Sequence, residues 1–169
     1  YGNPTALNLE DAEGVWSNNY VGVWHLNESP TGVNGEIIDS TSNNNDGKTV
    51  GSMNSTDLIN AKIGKGLELD GINDMIVIPD SPSLDGTNDE ATLQLWINWV
   101  NAADGGYQRV MTTSNRFAGG GGPDGYEWAS QSDGDHFFYP WGDPSGDNYN
   151  LGPNPFTNNQ WHHLVVTMN

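Results

Sequence analysis

Gly66-Leu67-Glu68-Leu69-Asp70-Gly71-Ile72-Asn73-Asp74-Met75-Ile76-Val77-Ile78-Pro79 decides how this chain is read. Two short alternating apolar runs meet at Asp70-Gly71-Ile72-Asn73-Asp74, a connection made almost wholly of turn formers. Glycine reaches a positive φ without steric cost, and Asn and Asp side chains bond their own backbone. The spacing predicts a hairpin, with Leu67–Leu69 and Met75–Ile78 as its strands. Working outward, strand patterns recur at Tyr20–Leu26, Gly47–Val50, Thr92–Val100, Tyr107–Thr113, Gly125–Ser130, Asp135–Tyr139 and Trp161–Met168. In Thr92–Val100 the residues Leu93, Leu95, Ile97 and Trp99 share one face, and Thr92, Gln94, Trp96 and Asn98 the other. Short runs bounded by Gly, Asn, Asp, Ser and Pro predict an antiparallel sandwich. No long segment carries a capped 3.6-residue period, although Asn8–Gly14 allows one helical turn.

Composition narrows the function classes. The 169 residues suffice for a real core; only 34% are hydrophobic, but seven Trp each bury a large apolar area. Acidic residues number 22 against 5 basic, a net charge of −17. Phosphate backbones and anionic membranes repel such a surface, so nucleic acid is not an expected partner. The absence of Cys excludes disulfides and thiolate metal centres. No apolar run approaches the length that spans a membrane, so no membrane insertion is expected.

Five segments in order carry a resemblance. They are Val23-Trp24-His25-Leu26, Asp39 to Gly47, Ile63 to Asp74, Ala91 to Asn98, and Gln160 to Thr167. Together they resemble a LamG-like domain of the concanavalin A-like lectin/glucanase superfamily, over roughly residues 15–169. Residues 1–15 read as a linker, or as the tail of a small β domain that precedes LamG in surface proteins, and 16–169 as one domain. The resemblance implies an all-β jelly-roll sandwich of two antiparallel sheets. It implies an extracellular or cell-surface module of a larger protein that binds glycans, or proteins in adhesion. In the family further strands follow the Trp-His-His-Leu segment. The C-terminal strands are therefore expected beyond Asn169 or from another chain, since an open sheet edge invites pairing.

The sequence offers residues for three kinds of site. For hydrolysis, enzymes that resemble this fold carry Glu-x-Asp-x-Glu on one strand, which puts every carboxylate on one face. No such triplet occurs. Glu68 with Asp70, and Asp133 with Asp135, are pairs without a third member, so a glycosidase is the least favoured reading. His162 and His163 are adjacent and point to opposite faces of a strand. For Ca²⁺, which takes carboxylate, amide and carbonyl oxygens, the candidates are Asp39 with its Asn-rich loop, and Asp70, Asn73 and Asp74. Turn chemistry accounts for the same residues without metal. For a glycan, aromatic platforms beside polar loop residues are needed. Asn115, Trp128, Asp133, Asp135, Tyr139 and Trp141 offer them, with Trp141 the preferred platform.

Overall fold

The computed structural model describes residues 10–84, 90–100, 108–112, 126–130, 135–139, 149–153 and 156–168. It is built of strands: β1 (Lys48–Val50), β2 (Leu58–Asn60), β3 (Lys65–Leu67), β4 (Met75–Val77), β5 (Ala91–Asn98), β6 (Gln108–Thr112), β7 (Glu127–Ser130), β8 (Asp135–Tyr139), β9 (Tyr149–Pro153) and β10 (Trp161–Met168). One helical turn, α1 (Ala12–Val15), is capped by Asp11, whose side chain accepts from Gly14 N. All strand pairs are antiparallel. The fold is all-β and antiparallel, as the sequence pattern predicts. Where the sequence suggests one domain over 16–169, the chain divides into two compact units, Tyr1–Asp85 and Gly86–Asn169.

The second unit holds the apolar core. β5 and β10 pair along eight rungs, from Trp161 opposite Asn98 to Met168 opposite Ala91. Their inward positions are Leu93, Leu95 and Ile97 on β5 and Leu164 and Val166 on β10. These pack against Trp128 and Phe138, cross-strand partners in the four-stranded sheet β6-β7-β8-β9. Two sheets so stacked make the sandwich of this unit. β9 forms where the Gly-Asp-Pro-Asn composition around it reads as loop.

The first unit is assembled differently. Its two-stranded sheets are β1-β4 and β2-β3. The expected hairpin is therefore a correction: β3 pairs with β2 and β4 with β1, so Asp70–Asp74 is a corner between two sheets. The physical reason lies in the side chains. Asp70 Oδ1 accepts the N–H groups of Ile72, Asn73 and Asp74. Asp74 takes Asp70 N on one oxygen and Ser52 N on the other. The turn is closed without a ladder between its flanks. Tyr20–Leu26 is likewise no continuous strand; only Trp24 makes a bridge, to Asp39. Leu26, at φ 55°, breaks the extended run. The side chains buried here are mainly polar, Asp39, Thr41, Asn45 and Thr49, with Ile37 as the fully buried apolar one.

Candidate functional site

The Asn-rich segment after Asp39 builds a cleft. Asp39 is 4% exposed, and its carboxylate organises the loop. Oδ1 accepts from Val23 N and Thr41 N; Oδ2 accepts from Thr41 Oγ1 and Asn45 N, all between 2.9 and 3.0 Å. Four donors fill the acceptor positions of one carboxylate. Trp24 Nε1 donates to Asn45 O, and Asp39 N donates to Asp46 Oδ1. Asn44, at φ 53°, takes the left-handed conformation that Asn tolerates. The loop is thereby fixed from below.

Its upper side, with Pro79, Asp80 and Ser81, lines a polar cleft of about 220 Å³. The lining residues of the loop are Asn43, Asn44, Asn45 and Asp46. Each carboxamide nitrogen already donates within the protein. Asn43 Nδ2 reaches Val21 O at 3.2 Å, Asn44 Nδ2 reaches Ser42 O at 2.8 Å, and Asn45 Nδ2 reaches Val21 O and Ser83 Oγ. Among the described residues nothing donates to the carboxamide oxygens of Asn43 and Asn44, to Asp46 Oδ2, or to the Asp80 carboxylate. The cleft therefore has an excess of acceptors, and it suits a ligand rich in O–H or N–H donors. Its volume is below the roughly 300–1,000 Å³ of a drug-sized site and suits one small ring.

The residues expected to hold calcium are engaged in hydrogen bonds within the protein. Asp39 accepts four of them. Asp70, whose carboxyl is held below its ordinary range by N–H bonds from Ile72 and Asn73, serves the turn, as does Asp74. Asn73 belongs to the same turn through its own N–H. Among the described residues no three His, Asp or Glu side chains gather in a way that could hold a metal.

The second unit disperses the expected glycan residues. Trp128 is a correction. It is 2% exposed, edge-on to Phe138 at 6.3 Å, and sealed in the core, where no sugar face can reach it. Among the described residues its indole N–H has no acceptor. Asp135 and Tyr139 lie on β8, where Tyr139 is the rung partner of Glu127. The sheet also carries an ion pair unsuspected from sequence, Arg109 Nε to Glu127 Oε1 at 2.7 Å, with Glu127 5% exposed. Asn115, Asp133 and Trp141 lie outside the described residues. The two histidines separate as expected. His163 stacks on Trp96 at 4.9 Å on the outer face, while His162 turns to Phe156 at 5.1 Å. Trp96 is 41% exposed.

The sequence of this sandwich has known relatives. A laminin G family model, described as the concanavalin A-like lectin/glucanases superfamily, matches residues 70–169. The chain belongs to this superfamily. No curated protein matches it. Among solved structures it is similar to the S-layer domain-containing protein of Clostridium thermocellum, at 18% identity and a TM-score of 0.55. The match covers 86% of this chain and 67% of that one. At that identity the likeness concerns fold. The superfamily match spans the whole second unit but reaches only the Pro79–Ser81 side of the cleft. The Asn43–Asp46 side was legible as a run of amides, and its counterpart was not, because Pro79-Asp80-Ser81 reads as any strand exit.

Proposed function

We propose that this chain is a non-catalytic, carbohydrate-binding module of an extracellular or cell-surface protein. The single observation that carries the reading is the acceptor-rich cleft of Asn43–Asp46 and Pro79–Ser81. Sugar hydroxyls donate to carboxylate and carboxamide oxygens, and Asp39 holds those oxygens in place before any ligand arrives, which lowers the ordering cost of binding. Membership of a lectin and glucanase superfamily supports the substrate class, and the S-layer neighbour supports a surface setting. A binding role is preferred to hydrolysis because no Glu-x-Asp-x-Glu run occurs in the sequence. Trp141 stays in the proposal as an aromatic platform, together with Asn115, Asp133, Asp135 and Tyr139. A glycan array and affinity gels test the reading. Retention at micromolar to millimolar Kd is expected, about −8 to −4 kcal/mol. Loss of retention in Asp80→Ala with the fold intact supports the cleft; loss only in Trp141→Ala moves the site to the second unit.

Calcium stays in the proposal, at Asp39 or at Asp70, Asn73 and Asp74, motivated by the net charge of −17. Melting in Ca²⁺ and in chelator tests it. A folded-state ligand raises Tm with its concentration, and identical melting in both would remove the ion from the account.

A second reading, a protein-binding adhesion module, is favoured by one feature. β5 and β10 are eight-residue strands, each paired on one edge only among the described residues. Such edges accept further strands. Light scattering would reveal a defined oligomer under this reading, and a monodisperse monomer would count against it.

A further inference from the structure

We propose that Asn34 is a self-modifying site that converts to aspartate and isoaspartate without an enzyme. It is the one asparagine of the chain that glycine follows. The two residues form an exposed turn after Val33, closed by Glu36 N donating to Val33 O at 3.3 Å. Gly35 has φ +80°, and a Cβ placed there would meet nothing within 4 Å, so the turn is uncrowded at this residue. Neither the Asn34 carboxamide nor the Gly35 N–H makes a hydrogen bond in the described structure.

The chemistry balances with water as its sole co-reactant. The Gly35 backbone nitrogen, losing its proton, attacks Asn34 Cγ. An N–C bond forms, the Cγ–Nδ2 bond breaks, and ammonia leaves with the proton. Water then opens the resulting succinimide at either carbonyl. One opening restores a normal backbone with an aspartate side chain; the other carries the backbone through the former side chain. Nothing is oxidised or reduced.

Two other asparagines among the described residues are held back by their surroundings. Asn54, followed by the small Ser55, accepts from Thr56 N and Oγ1 and donates to Ser52 O. Asn45 is buried and bonded at both ends of its amide. The modification would place a new carboxylate two residues before Glu36, which ties Thr31, Gly32 and Thr49 together. The isoaspartyl form also lengthens the main chain inside that turn.

The test is peptide mapping by mass spectrometry of the folded protein aged at mildly alkaline pH, beside a free Val-Asn-Gly-Glu peptide and the Asn34→Gln variant. The amide-to-acid mass gain is expected first at Asn34, with one ammonia released per site, before any gain at Asn54, and not at position 34 of the variant. Fragmentation should show aspartyl and isoaspartyl products. The proposal is overturned if the Asn34 peptide stays unchanged while the free peptide converts, or if another asparagine of the folded chain reacts first.

Discussion

The Glu36 carboxylate collects three backbone N–H groups, from Thr31, Gly32 and Thr49, and the hydroxyls of Thr31 and Thr49. Burial, the largest single influence, pushes its pKa up. The bonds from Thr31 and Thr49 together outweigh it and bring the value from 4.5 down to about 2. A folded pKa below the unfolded one contributes stability that is complete above about 4.5 and fades as pH falls toward 2. Glu36→Gln is expected to flatten the acid side of the stability profile between those values and to cost on the order of 1 kcal/mol at neutral pH. Equal acid sensitivity in wild type and variant, followed by denaturant melts at several pH values, would refute this. Asp39 makes the harsher case. Removing its side chain in Asp39→Ala strips partners from Thr41 and Asn45 N–H groups that are both buried. Unmet buried donors cost about 1–3 kcal/mol each, so a loss of roughly 2–4 kcal/mol is expected by urea unfolding. The cleft would loosen with it.

Strands and turns divide between what composition announces and what tertiary contacts decide. β5 and β10 were legible because alternation at Leu93, Leu95 and Ile97, and at Leu164 and Val166, must face a core. The turn at Asp70–Asp74 was legible too, yet its pairing was not. Local residues specify that a chain bends; which strand then lies alongside depends on partners such as Leu58–Asn60, a run too short to announce itself. Trp128 was misplaced because an aromatic at odd register looks alike whether it faces core or solvent until the neighbouring strand is known. The cleft was half legible, as a string of amides whose scaffold role for Asp39 only the hydrogen bonds disclose. Gly51 offers an element-scale test. It sits at φ +103°, and a Cβ there would lie 2.5 Å from Asp74 Oδ1 and 2.6 Å from Asn73 O. Gly51→Ala is expected to push the Asp70–Asp74 corner off β1 and lower stability by more than 1 kcal/mol, since the backbone strain adds to the clash. An unchanged Tm would contradict that packing. Leu164→Ala, at a site 7% exposed in the sandwich core, should cost about 2–5 kcal/mol in the same assay.

The whole molecule combines a superfamily known for lectins and glucanases with a strongly acidic surface and a small cleft that presents oxygen acceptors. Net charge of −17 implies self-repulsion in the folded state. Raising monovalent salt from about 10 mM to 150 mM, where the Debye length contracts from roughly 30 Å to 8 Å, is therefore expected to raise Tm. Hydroxyl-to-acceptor recognition involves no ionic ligand, so glycan affinity should change little over the same range. The central claim is that the Asn43–Asp46 and Pro79–Ser81 cleft receives a sugar. The direct measurement is calorimetric titration of a polysaccharide retained by the wild-type protein into wild type, Asp80→Ala and Asn44→Gly, whose glycine keeps the left-handed backbone at this position, with melting curves to establish that each variant is folded. The account expects each exposed substitution to leave Tm unchanged and to weaken binding about tenfold, near 1.4 kcal/mol. Unchanged affinity in both folded variants would contradict it.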